Sequence, residues 1–281
     1  MESLEFTVRL GDLYLTLRGR LSLDSRGYLC RFQAENAEAD VCCTVLRDDA
    51  LQPPVQPPQV RETWKEIRMC DDGLSIAYYS DLRHESCYAL LTENAPDRLT
   101  LRLNGTMIHD PEKHILSCIA MEHLMLRHKQ AIFHAAWIER GGRALLFSGA
   151  SGAGKSTHTA LWQSLCHTPI CNGDKALLFR RGDALWVGGL PYAGSSGICT
   201  TRRLPVDAIV FLSHGKDNVL TRPQPSEAVK LLVSQMPLQS WNADDVSAAL
   251  NFALDIAEKV PVYTYSCLPD ASAVAYLESR I

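Results

Sequence analysis

Gly149-Ala-Ser-Gly-Ala-Gly-Lys-Ser156 is the stretch that decides how this chain folds. A glycine, four residues, then glycine, lysine and serine let the backbone turn back on itself with its amides pointing inward. That makes a nest for phosphate oxygens at the positive end of a helix. The flanks supply the context such a loop needs: Ala144-Leu-Leu-Phe147 reads as a buried strand entering it, and Thr157-His-Thr-Ala-Leu-Trp162 as a helix leaving it. The pattern predicts a bound ATP or GTP, with Gly149, Ala150, Ser151, Gly152, Ala153, Gly154, Lys155, Ser156 and Thr157 around its phosphates. Lys155 is expected to reach the β and γ phosphates and Ser156 to ligate magnesium.

Outward from the loop, Ala131–Ile138 and Ala144–Ser148 read as neighbouring strands joined at Gly141-Gly142. Apolar strands follow at Ala176–Phe179, Ala184–Val187 and Ala208–Leu212, then helices at Ser226–Gln235 and Ala243–Lys259, a strand at Val262–Ser266 and a short helix from Asp270. Ser226 and Asn242 are the expected capping side chains of the two longer helices. In the N-terminal third, Phe6-Thr-Val-Arg-Leu10 and Leu13-Tyr-Leu-Thr-Leu17 alternate with the two-residue period of half-buried strands, and further strands are expected at Ile76–Tyr79 and Arg98–Leu103. Between them lie Pro53, Pro54, Pro57 and Pro58, which remove amide donors and mark a loop. A helix over 115–128 leads into the second unit. The expected organisation is a β-rich domain over 1–110 and an α/β nucleotide-binding domain over 111–281, with no internal repeat.

The 281 residues are 46% hydrophobic and 21% charged with a formal net charge of -4, the balance of a globular chain and a poor match to a nucleic-acid partner. Ten cysteines are scattered without the two-residue gap of a zinc or redox motif and are expected to be mostly buried free thiols. The start, Met-Glu-Ser-Leu-Glu-Phe, lacks a basic, apolar leader, and no run approaches the roughly 18–20 apolar residues of a membrane helix. A cytoplasmic protein with no membrane partner is expected.

Phosphoryl transfer with magnesium calls for a carboxylate near the loop, and the first candidate is Asp174, in Asn172-Gly-Asp174-Lys175. Here the residues resemble HPr kinase/phosphorylase and the kinase domains that share its fold with phosphoenolpyruvate carboxykinases. Four features carry the resemblance: the phosphate loop; His134, fifteen residues before it; Asn172-Gly-Asp174, where that family has an Asp-Asp pair; and Gly197-Ile-Cys-Thr-Thr-Arg202 ahead of the strand Asp207–Leu212. The resemblance spans about residues 130–215. It implies an α/β kinase domain of that type using ATP and magnesium, with Ser156 and Asp174 as metal ligands and His134, Asp174, Lys155 and Arg202 in catalysis. One carboxylate of the family's pair is missing, which puts phosphorolysis in doubt and leaves Asp174 alone to hold metal or take a proton.

Other residues near these have two readings each. His134 is either a base or a satisfied core histidine. Gly188–Gly197 is either a plain loop or a binding loop that uses its amides with Ser195 or Ser196. Lys175 neutralises phosphate or sits in solvent, Arg203 is a lesser candidate than Arg202, and His158 is a packing residue. The expected activity is transfer of the γ-phosphoryl group to a hydroxyl of a peptide, small protein or metabolite. The alternative is a nucleotide-dependent switch or ATPase acting through a partner. The sequence is compatible with a homo-oligomer and does not identify one.

Overall fold

A computed structural model of the chain describes residues 4–21, 23–70, 73–105, 111–192 and 194–281; the side chains of 111–114 and 195 lie outside that description. Contacts divide the chain into two units, Met1–Leu124 and Met125–Ile281. The boundary expected near residue 110 falls outside the described residues. The division lies later because the helix Pro111–Cys118 contacts a strand of the first unit.

The first unit holds β1 (Leu4–Leu10), β2 (Leu13–Gly19), α1 (Tyr28–Arg31), β3 (Val41–Arg47), β4 (Val60–Arg61), β5 (Lys65–Cys70), β6 (Gly73–Tyr79), β7 (Cys87–Ala95), β8 (Arg98–Leu103), α2 (Pro111–Cys118) and the start of α3 (Met121–Arg127). The strands form one sheet in the order β1-β2-β3-β8-β7-β6-β5-β4. Val8, Leu10, Leu15 and Leu17 are fully buried on alternate positions, as the two-residue period requires. The proline segment carries no regular structure. The helix expected over 115–128 is broken in two, because Ala120 takes a positive φ of 48° between α2 and α3. β5 gives no apolar alternation because it buries two charged residues, Glu66 and Arg68. Burial opposes ionisation of Glu66, but hydrogen bonds from Tyr79, His84 and Arg68 overcome it and hold the carboxyl at about 2.

The second unit continues with β9 (Gln130–Arg140), β10 (Arg143–Ser148), α4 (Lys155–Cys166), β11 (Ile170–Asn172), β12 (Lys175–Arg181), β13 (Ala184–Gly188), β14 (Arg203–His214), β15 (Val219–Thr221), α5 (Pro225–Ser234), α6 (Ala243–Lys259), β16 (Val262–Cys267) and α7 (Ala271–Glu278). β9 pairs with β10 and β12, β12 with β13, β13 with β14, and β14 runs parallel to β10, so five strands close on themselves. β16 and β15 extend the sheet beyond β14. The chain is thus a mixed α/β structure built on two sheets.

β10 reads as continuously apolar because both of its faces are covered. Ala144 and Leu146 join a core with α5 and α6, while Leu145 and Phe147 join another with α4 and α7. Asn242 caps α6 as expected, its Oδ1 accepting the amides of Asp244 and Asp245 at 3.0 and 3.3 Å. The cap expected at Ser226 is corrected: α5 begins at Pro225, whose fixed φ and missing amide suit a first turn, so Ser226 lies inside the helix. All ten cysteines are free; Cys43, Cys118, Cys171 and Cys267 are buried and the other six only partly so.

His158 is a packing residue, 3% exposed among Phe147, Trp162 and Tyr265. Its Nε2 accepts the indole N–H of Trp162 at 3.2 Å, and burial pushes its pKa down to about 4. Below the ordinary value of 6.5 the unfolded chain takes up a proton that the folded chain refuses. Stability therefore falls as pH drops from 6.5 towards 4, by about 3 kcal/mol in all at 1.36 kcal/mol per pH unit. Thermal melts at steps across that window should show the slope, and His158→Gln, which still offers Trp162 an acceptor, should flatten it. A slope unchanged in the variant would assign it to other groups.

Candidate active site

β10 ends at Ser148, and the chain then makes three turns that need positive φ, at Gly149 (132°), Gly152 (80°) and Gly154 (94°), before α4 begins at Lys155. At Gly149 a side chain is excluded twice over, because a Cβ would stand 2.7 Å from the Leu212 carbonyl oxygen of β14. Gly154 is the N-cap of α4 and supplies no side chain, so the first-turn amides have no side-chain acceptor. This is the strand, loop and helix arrangement expected of Gly149–Ser156. Ala150, Ser151, Gly152, Ser156 and Thr157 are exposed along it, with Ala153 and Gly154 partly so.

Lys155 is only 9% exposed, and its ammonium donates to the carbonyls of Gly149 and Ala150 at 3.0 and 3.2 Å. Burial lowers its pKa, and the negative charge of Asp174 works against that shift. A partly desolvated cation whose acceptors among the described residues are two carbonyls stands ready for an anion.

His134 and Asp174 come together beside it, with His134 Nε2 3.4 Å from Asp174 Oδ1. β9 carries His134 opposite Lys175 at the start of β12, and directly opposed residues share a face. Burial lowers the His134 pKa, the charge of Lys155 lowers it further, and Asp174 partly offsets both, a balance that favours the neutral imidazole. Asp174 is placed by Asn172, whose buried side chain accepts the amides of Asp174 and Lys175 at 2.9 and 3.0 Å and donates to the Tyr192 carbonyl at 2.9 Å. The glycine-rich loop closes over this turn. A Cβ on Gly194 would stand 2.7 Å from the Asp174 Cβ, and one on Gly173 would stand 2.6 Å from Ser196 Oγ. Ser196 Oγ accepts the Ile198 amide at 3.2 Å; the Ser195 side chain and Ala193 lie outside the described residues. His134, Asp174 and Lys175 also line a recess of about 340 Å³ whose other wall is the end of α5, Ser234 to Pro237, with Ile132. Among the described residues no group of three or more His, Cys, Asp or Glu could hold a metal by itself.

Arg202 is not part of this cluster, a correction to the expected set. It precedes β14, which runs parallel to β10, with Val206 beside Ala144 and Phe211 beside Ser148. The loop leaves the C-terminal end of β10, so Arg202 stands at the opposite end of the strand, where it ion-pairs with Glu139. Six residues at roughly 3.3 Å each already separate Gly149 from Arg143, whose guanidinium shares that far end with Asp207. Arg202→Ala should leave any turnover within about twofold and cost on the order of 1 kcal/mol of stability, the upper end for a surface ion pair, because the arginine is exposed while Glu139 is partly buried. A hundredfold loss of turnover would restore it to the site. Arg203 starts β14 at the same end.

Sequence reasoning passed over His214. This residue ends β14, beside the loop, and its Nε2 lies 2.7 Å from the Gly152 carbonyl. The signal was present in the sequence, because the residue lies two positions beyond the apolar strand Ala208–Leu212. A search for acidic residues does not stop at histidine.

No family model matches this chain, and no curated protein matches it. Among solved structures, the Hpr(Ser) kinase/phosphatase from Coxiella burnetii overlaps 53% of this chain and 91% of its own at 10% identity, with a TM-score of 0.31. That likeness is distant.

Proposed function

We propose that this chain is a phosphotransferase that moves the γ-phosphoryl group of ATP to a hydroxyl acceptor. The observation that carries this reading is the convergence of three groups: Lys155 at the phosphate loop and the Asp174–His134 pair, set 3.4 Å apart, with the Asp174 carboxylate near enough for its charge to act on both Lys155 and His134.

The loop fits a triphosphate on its own geometry. Its glycines give backbone turns without side-chain bulk, the Gly154 N-cap offers the α4 amides no side chain, and among the described residues the Lys155 ammonium has carbonyl partners alone. Ser156 and Asp174 are the residues that would hold magnesium. Two ligands suffice where phosphate oxygens and water complete the shell, which suits an ion that keeps several waters. Bound there, magnesium would neutralise charge on the phosphates.

Within that arrangement Lys155 and the loop amides fix the phosphates and stabilise charge gathering on the transferred group. Asp174, kept in place by Asn172 and backed by the Gly194 loop, accepts the proton of the acceptor hydroxyl. His134, 3.4 Å from Asp174, holds that carboxylate towards the recess. Most of the catalysis is then positioning and electrostatics, as phosphoryl transfer demands.

The test is incubation with magnesium and γ-labelled ATP beside a cell extract split into protein and small-molecule fractions, with Lys155→Ala as control. Label entering one fraction and lost in the variant establishes the kinase. Phosphate release with no labelled acceptor, or tight binding without turnover, favours a nucleotide-dependent switch instead. ATP that fails to bind at all removes both.

A further inference from the structure

The recess beside His134 and Asp174 has a chemistry of its own, apart from the phosphate loop. At about 340 Å³ it lies near the lower limit of small-molecule pockets, which run from roughly 300 to 1,000 Å³. Ile132, Met236 and Pro237 make part of its wall apolar. Lys175 supplies a positive charge on the face it shares with His134. That ammonium sits 4.8 Å from the centre of the Tyr192 ring, and among the described residues no carboxylate lies within ion-pair distance of it. The Tyr192 backbone is itself held by Asn172, so the ring and the lysine are tied to the turn that presents Asp174. A half-buried lysine fixed over an aromatic face, with no counter-ion and next to a base, is a place for an anion.

We infer that the acceptor is a small hydroxy acid: an anionic group held by Lys175, a short aliphatic body against Ile132, Met236 and Pro237, and a hydroxyl directed at Asp174 and His134. This rests on the proposed phosphoryl transfer. In the step, the acceptor oxygen forms a bond to the γ phosphorus and the bond from that phosphorus to the β–γ bridging oxygen breaks. The electron pair leaves on the terminal phosphate of ADP, and the hydroxyl proton passes to Asp174.

Matched probes isolate the charge. ADP formation and the phosphorylated product are followed with 4-hydroxybutyrate, with 1-propanol, which keeps the hydroxyl and three-carbon body and lacks the carboxylate, with 1,4-butanediol, which puts a second hydroxymethyl group in the carboxylate's place, and with a seryl tripeptide blocked at both ends. ATP binding is measured separately. The expected result is that 4-hydroxybutyrate is phosphorylated with kcat/KM at least about tenfold above propanol, the diol and the peptide, the scale of a hydrogen bond to a charged group. In Lys175→Gln that preference should fall to within about twofold through KM, with ATP affinity unchanged. The inference is overturned if propanol, the diol or the peptide serves as well, if no probe is phosphorylated while ATP binds, or if the preference survives in Lys175→Gln. It is equally overturned if Lys175→Gln weakens ATP binding, which would place the ammonium on the nucleotide's phosphates. A wild-type chain that binds no ATP brings down the phosphotransfer reading, and this acceptor with it.

Discussion

Lys155→Ala should abolish phosphoryl transfer and weaken ATP binding by about ten- to a hundredfold while leaving the fold at least as stable. The binding loss follows from one charge-assisted contact to phosphate, worth roughly 1.5–3 kcal/mol. Turnover should fall further, by at least about a hundredfold, because a cation aimed at the transferring group works most when charge gathers there. Stability is what separates a binding lysine from a structural one. In the folded chain Lys155 is 9% exposed, its pKa is lowered by partial burial, and among the described residues the Gly149 and Ala150 carbonyls accept from its ammonium. A lowered lysine pKa means that folding disfavours the charged form, so removing the charge relieves a cost. Thermal melts of the two proteins should coincide or favour the variant, and calorimetric titration with ATP should show the lost affinity. A variant that melts well below the wild type while binding ATP normally would make Lys155 a tie for the loop and nothing more.

The parts of this chain legible in the sequence are those where local chemistry and tertiary need coincide. Gly149, Gly152 and Gly154 are required by positive φ, and Asn242 caps because its side chain reaches amides two and three residues on; both are local demands. β9 and β10 were visible because both of their faces are apolar. β5 is hidden because charged Glu66 and Arg68 are buried on either side of Ile67, a pair that the folded sheet brings together with Tyr79 and His84. The short β11 and β15 carry three residues each, too few for a period to show.

The site divides in the same way. Asp174 is legible as the first carboxylate after the loop and His134 through the resemblance, and the β9–β12 pairing sets them side by side. Arg202 rests on the resemblance of Gly197–Arg202 to a family segment, and the direction of β14 carries it to the end of the strand away from the loop. The same strand delivers His214 to the loop at its other end. A parallel pair of strands therefore explains both the error and the omission, and neither follows from spacing, because strand direction is settled by pairings remote in sequence.

Asp174→Asn should lower kcat by about 10²–10⁴-fold, the contribution of a positioned general base, with ATP affinity changed only a few-fold. The substitution keeps shape and leaves the turn intact, because the bonds that build it run from the backbone amides of 174 and 175 to Asn172 Oδ1 and do not use the Asp174 carboxylate. Asparagine fits under Gly194 as aspartate does, so a structural residue at this position would show almost no loss. His134 provides the further check. Its pKa is lowered by burial and by Lys155 and raised by the carboxylate of Asp174; with the charge gone, only the lowering influences remain. An NMR titration of the His134 ring should therefore move to lower pH in Asp174→Asn. A large loss of turnover with an unmoved His134 titration would mean that the two side chains do not act as a pair. Near-normal turnover would take the base away from Asp174 and leave it to His134.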